Sequence, residues 1–226
     1  MFDIKEIRAQ FPILQRKIYD KPLCYLDNGA SAQKPRIVIE AIHRAYSFEY
    51  ANVHRGLHFL SNTATDRFEA VREKIQKFLG AKFNDEIVFT SGTTEGLNLV
   101  SYAWGQHNLN EGDEIILSVM EHHANIVPWH FIRQKKGVVL KWIEPRSDGS
   151  LPPEDVLKAI SPRTKLIAIT HMSNVLGSIV DVKKICDSKL TKNIPVLVDG
   201  SQAAVHINVN VQELGCDFYA VTGHKL

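Results

Sequence analysis

The sequence has few cysteines, no long apolar run and almost no net charge. Its three cysteines are an odd number without any Cys-x-x-Cys pair, which argues against a disulfide framework or a zinc site and favours a reducing cytoplasm. No apolar run approaches the ~20 residues that a membrane helix needs, and the N-terminus lacks the apolar core of a secretory signal. With 27 Lys and Arg against 25 Asp and Glu, bulk charge favours neither nucleic acid nor an anionic membrane.

Two common catalytic signatures are also missing. The glycine-containing segment at residues 91–96 is not followed by the Gly-Lys-Ser/Thr of a phosphate-binding P-loop. His122 and His123 are adjacent, so they lack the His-Glu-x-x-His spacing of zinc hydrolases. The sequence therefore predicts no metal site.

Strand-like and helix-like segments alternate along most of the chain. Helices are predicted at residues 35–50, 64–79, 93–104, 123–136, 153–160 and 181–189. Strands are predicted at residues 86–90, 114–119, 138–143, 165–170, 194–198 and 217–221. Several strands are nearly continuous apolar runs, as in strands covered on both faces. The alternation predicts an α/β fold with a doubly wound, mainly parallel sheet, preceded by an N-terminal arm at residues 1–20.

Each of five predicted strands is followed directly by polar residues. In an open α/β sheet, ligands bind beyond the carboxyl ends of the strands. We therefore take these five polar clusters as the candidate site. They lie at residues 91–95, 121–123, 171–174, 199–202 and 222–225.

An acid and a lysine in two of these clusters suggest a pyridoxal 5'-phosphate (PLP) site. Asp199 ends an apolar run, where a carboxylate is costly unless it is paired, and a protonated pyridine nitrogen would pair it. Lys225 lies close in sequence to Thr222 and His224, which can both donate hydrogen bonds to a phosphate. Such neighbours are expected of the lysine that forms a Schiff base with PLP. The alternatives are a carboxylate that caps a turn and a lysine that extends to solvent.

Two of the other clusters, and one loop nearer the N-terminus, fit such a cofactor without requiring it. Residues 91–96 join a strand to a helix, where free amides favour a phosphate, although an ordinary helix cap explains them equally well. A histidine of the pair at residues 122–123 can stack on a flat ring and shuttle protons, or it can simply sit at a helix start. The loop at residues 52–56 offers an arginine to an anion, or is an ordinary solvated loop.

Read together, these motifs resemble one family over essentially the whole chain. The sequence is similar to the SufS/CsdA-like group of cysteine desulfurases, which are PLP enzymes of fold type I in the class-V aminotransferase superfamily. The resemblance rests on Tyr-Leu-Asp-Asn-Gly-Ala-Ser-Ala-Gln-Lys-Pro at 25–35, Asn-Val-His-Arg-Gly at 52–56, Gly-Thr-Thr-Glu-Gly at 92–96, Glu-His-His-Ala-Asn-Ile-Val-Pro-Trp at 121–129, and the clusters of Asp199 and Lys225.

The resemblance implies a role for each matching position. Lys225 would form the Schiff base, Asp199 would hold the pyridine nitrogen, and Gln202 would hold the phenolic oxygen. His122 would stack on the ring and act in catalysis with Lys225. The implied phosphate-binding residues are Thr94, Thr222 and His224. The implied residues near the substrate are Asn174, His54 and Arg55.

The implied reaction removes sulfur from L-cysteine and leaves L-alanine and an enzyme persulfide for iron–sulfur cluster assembly. The implied partners are a SufE-like or SufU-like sulfur acceptor and, for the full-length protein, a second copy in a homodimer. A selenocysteine lyase or another class-V enzyme shares nearly all these residues. A non-catalytic regulatory or binding fragment is the alternative from another class.

The chain departs from the family pattern after Lys225. By the resemblance, residues 21–226 are the PLP-binding large domain without the small C-terminal domain, and the nucleophilic cysteine and the substrate-binding arginine belong to the later part. Cys24, Cys186 and Cys216 do not match the nucleophile's position. We therefore expect the chain as given to be an inactive fragment.

Overall fold

The computed structural model describes residues 2–226, which divide into two compact units. One unit comprises the residues up to Ile75 together with Lys225. The other comprises Gln76–His224 together with Leu226. The prediction that a single large domain spans residues 21–226 is not tested by this division and stays a prediction.

The first unit is mainly helical. Its elements are α1 (Ile4–Ala9), a 3-10 turn (Pro12–Gln15), β1 (Lys17–Ile18), β2 (Lys21–Pro22), α2 (Arg36–Arg44), a π-helical turn (Ala45–Glu49) and most of α3 (Phe59–Leu79). Asp3 caps α1, because its side chain accepts the backbone N–H groups of Lys5 and Glu6. The helices predicted at residues 35–50 and 64–79 are confirmed, and α3 begins five residues earlier than expected.

A five-stranded sheet forms the centre of the second unit. Its strands are β3 (Glu114–Ser118), β4 (Val139–Ile143), β5 (Thr164–Thr170), β6 (Val196–Asp199) and β7 (Phe218–Ala220). Their order is β4-β3-β5-β6-β7, and every neighbouring pair is parallel. The predicted α/β class and parallel sheet are therefore confirmed.

Seven helices connect and cover these strands. They are α4 (Thr93–Val100), α5 (Gln106–Asn108), α6 (Val127–Lys136), α7 (Pro153–Lys158), α8 (Val182–Cys186), α9 (Ala203–His206) and α10 (Val211–Leu214). The helices predicted in this region are confirmed, whereas the very short α9 and α10 were not foreseen. None of the helices formed by residues 2–226 is long and apolar enough to cross a membrane.

Alternate residues of the strands enter two separate hydrophobic clusters, one on each face of the sheet. Ile115 and Leu117 of β3 pack with Leu97 of α4 and with Trp129 and Ile132 of α6. On the other face, the intervening β3 residue packs in a cluster that includes residues of α7 and α8, namely Ile116, Val156, Val182 and Ile185. Helices cover both faces, which makes the sheet doubly wound, and the two-residue alternation shows to which face each strand residue belongs.

The strand predicted at residues 86–90 is wrong. Asn84–Glu86 form a 3-10 turn, and residues 87–90 have no regular secondary structure and do not join the five-stranded sheet. Val88 and Phe89 are 66% and 41% exposed, unlike the buried residues of β3 and β6. A strand requires a neighbour to hydrogen-bond with, and the local pattern of residues contains no information about that neighbour.

Candidate functional site

The carboxyl ends of the parallel strands bring three of the predicted polar clusters, and residues 222–224 of a fourth, to one edge of the sheet. The register aligns Thr170 of β5 with Asp199 of β6, and Asp199 with Ala220 of β7. Three clusters therefore follow neighbouring strands, and the cluster at residues 121–123 follows β3, the next strand in the sheet. The fifth cluster, at residues 91–95, leads into α4 instead of following a strand.

Asp199 is the buried carboxylate at this edge. Its residue is only 5% exposed, and it lies on the same face of the sheet as Leu197, towards α4. Oδ1 accepts the backbone N–H of Ser201 at 3.0 Å and the Ser201 hydroxyl at 2.6 Å. Ser201 Oγ also lies 2.8 Å from Thr93 Oγ1, at the start of α4. Asp199 is thus connected through Ser201 to the first residue of α4.

The start of α4 offers backbone amides and a neighbouring hydroxyl. Gly92 precedes the helix with φ 149° and ψ 178°, a backbone conformation that glycine adopts readily and other residues rarely. No side chain makes a capping hydrogen bond at this end of the helix. A Cβ built on Gly92 would lie 3.5 Å from Thr222 Oγ1, so the Thr222 hydroxyl lies beside this helix start. Thr222 Oγ1 is in turn 2.8 Å from His224 Nδ1. Thr94 is exposed in the first turn of α4.

The segment after β3 is fixed by a buried glutamate. Glu121 Oε1 accepts the Ser118 hydroxyl at 2.5 Å, and Oε2 accepts the Asn125 amide at 2.8 Å. Asn125 Oδ1 accepts the Trp129 indole N–H at 3.2 Å, and Trp129 is fully buried. Burial raises the pKa of Glu121 to about 7, assisted by the nearby Asp199 carboxylate and opposed by hydrogen bonds from Ser118, Asn125 and the Thr170 backbone.

His122 occupies the position next to this buried glutamate. Its residue is exposed, and its Nδ1 accepts the backbone N–H of Ala124 at 3.1 Å. In the neutral ring the proton therefore lies on Nε2, the nitrogen that faces away from the backbone. The centre of the His123 ring lies 6.2 Å from that of the His122 ring, and the two ring planes are tilted by 59°, so the rings are not stacked on each other.

Behind Asp199, on the opposite face of the sheet, His171 and Tyr219 form a polar pair. His171 Nδ1 lies 2.9 Å from the Tyr219 hydroxyl, and the rings meet edge to face. Burial lowers the pKa of His171 and raises the pKa of Tyr219 well above its ordinary value. Gly200 lies against the Tyr219 ring, since a Cβ built there would be 2.1 Å from it.

Gln202 and Asn174 differ sharply in exposure. Gln202 is 6% exposed at the start of α9. Asn174 is exposed in a turn after β5, which Ser173 braces by accepting the backbone N–H groups of Val175 and Leu176. The roles given to Gln202 and Asn174 by resemblance stay predictions.

In the first unit, the loop carrying His54 and Arg55 is fixed to α3. His54 has φ 69°, rare for a residue other than glycine, and its backbone N–H donates to Thr65 Oγ1 at 2.8 Å. His54 Nε2 lies 2.8 Å from Glu69 Oε1. Arg55 is exposed. The loop is therefore positioned by α3, while His54 and Arg55 themselves are exposed.

Lys225 is partly buried and belongs to the first unit, whereas Asp199, Thr222 and His224 belong to the second. Its predicted partnership with the acid and the phosphate-binding residues therefore stays a prediction. Within the second unit, the structure does bring Thr222 together with His224 and with the start of α4.

Sequence reasoning passed over three residues of this edge. Ser201 and Thr93 lie within the predicted motifs, but the sequence indicates no role for them. Their contact joins positions 108 residues apart, which local patterns do not predict. Glu121 was considered only as the neighbour of the histidines. The available signal was that a carboxylate follows closely on the apolar run at residues 115–117, where burial is costly without hydrogen-bond donors.

These residues fit PLP in two respects. Every hydrogen bond that residues 2–226 make to the Asp199 carboxylate ends on Oδ1, which leaves Oδ2 for the N–H of a pyridinium ring. The uncapped start of α4, with the Thr222 hydroxyl beside it, has the donors that a phosphate needs. The set is chemically suited to the two ends of the cofactor.

Comparison with known proteins identifies the family of the chain. The family described as Aminotransferase class-V matches residues 24–226. A cysteine desulfurase of Salmonella newport (strain SL254) is 48% identical over 225 residues, which is 100% of this chain and 55% of that protein. The chain thus spans about half the length of the curated relatives that it matches.

Solved structures give the same result. The cysteine desulfurase CsdA of Escherichia coli matches with a TM-score of 0.86 and 38% identity, over 100% of this chain and 55% of that one. The apo cysteine desulfurase of Thermococcus onnurineus NA1 matches with a TM-score of 0.89 and 38% identity, over 99% and 54%. Because the family match covers most of the sequence, the chain belongs to the aminotransferase class-V family.

Proposed function

We propose that this chain supplies the PLP-binding part of a cysteine desulfurase, which converts L-cysteine into L-alanine and passes the sulfur to an enzyme persulfide. The observation that carries the proposal is the buried Asp199 carboxylate, with one oxygen held by Ser201 and the other left for a donor from outside. The similarity to proteins named cysteine desulfurases narrows the reaction within the family.

PLP, when bound, supplies an electron sink for bond cleavage at the amino acid. Asp199 holds the proton on the pyridine nitrogen, because a buried carboxylate stabilises the adjacent positive charge. The amides at the start of α4, with Thr94, Thr222 and His224, bind the phosphate. Gln202 binds the phenolic oxygen.

His122 and Lys225 carry the remaining chemistry. His122 stacks on the cofactor ring and presents Nε2, the nitrogen not engaged by the Ala124 backbone. From there it holds or delivers a proton. Lys225 is the amine that joins the cofactor covalently. Asn174, His54 and Arg55 lie near the substrate in this proposal.

The wider context follows from the same proposal. The sulfur is passed to a SufE-like or SufU-like acceptor and used for iron–sulfur cluster assembly in the cytoplasm. The full-length protein forms a homodimer. The nucleophilic cysteine is none of Cys24, Cys186 or Cys216. Burial raises the pKa of Cys186 to about 12 and that of Cys216 to about 11, which opposes the thiolate that such a step requires.

The covalent cofactor link is tested with Lys225→Ala, made in the protein as its own gene encodes it. We expect wild type incubated with PLP and reduced with borohydride to carry one cofactor mass, located on the peptide that contains Lys225. The variant loses this adduct because it lacks the amine. Lys158→Ala, which removes an exposed lysine of α7, is the control and keeps it. An adduct of equal amount in Lys225→Ala would contradict the cofactor assignment.

The 226-residue polypeptide alone is predicted not to release sulfide from L-cysteine, because two of its three thiols are disfavoured as thiolates and none matches the nucleophile. The measurement is sulfide and alanine production by the purified polypeptide with PLP and a reductant. The gene's own full product is assayed alongside. A monodisperse, PLP-coloured 226-residue protein that turns cysteine over would refute the prediction.

A further inference from the structure

Ser201 makes two hydrogen bonds to the same oxygen of Asp199. Its backbone N–H and its hydroxyl both reach Oδ1, at 3.0 and 2.6 Å. A carboxylate held by a single donor can still rotate, whereas two donors from one residue fix which oxygen faces inward. The other oxygen, Oδ2, is then held in one direction.

The Ser201 hydroxyl has a single proton, which determines the direction of its second contact. Because that proton is donated to the Asp199 carboxylate, the 2.8 Å contact between the two hydroxyls must be a bond donated by Thr93 to Ser201 Oγ. The chain of bonds therefore runs from Thr93 through Ser201 to Asp199. All three residues are less than 10% exposed, so water competes little for these bonds.

The chain of bonds joins two parts of the proposed cofactor site. Thr93 is the first residue of α4, whose start is the proposed phosphate-binding element, and Asp199 ends β6. A shift of α4 is transmitted to the carboxylate through two short bonds. These bonds thereby hold the Asp199 carboxylate at a fixed distance from the start of α4.

We propose that Ser201 and Thr93 are positioning residues that orient the Asp199 carboxylate towards the pyridine nitrogen of PLP. This inference rests on the proposed function. Loss of the Ser201 hydroxyl leaves only the backbone donor, so the carboxylate samples other orientations and part of the bound cofactor loses its partner. Loss of the Thr93 hydroxyl leaves the Ser201–Asp199 bond intact but no longer anchored to α4. We therefore expect a smaller effect on PLP binding than from loss of the Ser201 hydroxyl.

The test measures PLP affinity and the pH titration of the bound cofactor's visible band, in the protein as its gene encodes it. For Ser201→Ala we expect about tenfold weaker binding and a displaced titration, since a hydrogen bond to a charged group is lost. Thr93→Val is expected to weaken binding about threefold, whereas Thr93→Ser, which keeps the hydroxyl, binds as wild type does. Ser101→Ala removes another buried serine hydroxyl, bonded to the Pro128 carbonyl, and serves as the control with no change.

Three outcomes decide the matter. If the wild type takes up PLP and Ser201→Ala has the same PLP affinity and the same titration, the inference is overturned and the proposed function stands. If Ser201→Ala fails to fold, the Thr93 pair decides, and equal affinities of Thr93→Val and Thr93→Ser overturn it. Wild type that takes up no PLP contradicts the proposed function and the inference together.

Discussion

Glu121→Gln is expected to stabilise the protein by about 3 kcal/mol at pH 8 and to change its stability little at pH 4. The pKa of Glu121 is raised from 4.5 in the unfolded chain to about 7 in the folded one. Below pH 4.5 the carboxyl is protonated in both states, and its stability contribution is fully present. As the pH rises through 7 that contribution is lost, because the unfolded chain releases the proton more readily.

The neutral amide removes this pH dependence while it keeps the side chain's shape. Its N–H₂ can donate to Ser118 Oγ, whose hydroxyl turns around, and its oxygen can accept from Asn125 as the carboxylate does. The buried connection to Asn125 and Trp129 is thereby preserved. The measurement is the free energy of unfolding by urea at intervals between pH 4 and pH 8. Parallel curves for wild type and Glu121→Gln would contradict the prediction.

Glu114, at the other end of the same strand, provides a control of opposite sign. Burial opposes its charge, yet hydrogen bonds from Ser161, Lys141 and Arg163 lower the pKa of Glu114 to about 2. Its contribution is present above pH 4.5 and is lost as the pH falls towards 2. Glu114→Gln should therefore destabilise the protein at neutral pH, and the difference should shrink on acidification. Strand β3 thus begins at Glu114, whose charged form is stabilised by Lys141 and Arg163. It is followed by Glu121, whose protonated form is favoured by burial.

The sheet was predictable because its information is local. β3, β5 and β6 each contain an unbroken apolar run of three or four residues whose side chains are all buried, which is typical of strands covered on both faces. The order of the strands and the pairing of Thr170 with Asp199 and of Asp199 with Ala220 are properties of the whole chain. The segment at residues 86–90 has a good strand pattern yet does not join the sheet, which shows the limit of local patterns.

The site was predictable in its residue types and less so in its connections. A carboxylate directly after an apolar strand requires a partner, and this requirement pointed to Asp199 before any geometry was known. Its actual hydrogen-bond partner is Ser201, two residues on, and Ser201 in turn contacts Thr93, far away in sequence. The pair of His171 and Tyr219 behind it joins the residues after β5 to β7 across a third strand, and no spacing in the sequence foretells it.

Gly200→Ala is expected to destabilise the protein by about 3 kcal/mol, since overpacking of a well-packed site typically costs 1–3 kcal/mol or more. An added Cβ would lie 2.1, 2.2 and 2.4 Å from atoms Cε1, Cζ and the hydroxyl of Tyr219. A ring cannot bend away as the end of a flexible chain can, so either Tyr219 or the end of β6 must move. Movement of Tyr219 also breaks its bond to His171, and movement of β6 displaces Asp199.

A double-mutant cycle separates this clash from other effects of the substitution. Gly200→Ala should cost much less in a Tyr219→Ala background, because the ring that it strikes is absent, and the two changes should couple strongly. Gly96→Ala is the matched control: Gly96 lies inside α4, where an added Cβ meets only ordinary contacts at 3.8 and 3.9 Å. Alanine there should stabilise the helix by about 0.5–1 kcal/mol, so the two glycine substitutions should differ in sign. If Gly200→Ala lowers the free energy of unfolding equally with and without the Tyr219 ring, then contact with that ring does not explain the requirement for glycine after Asp199.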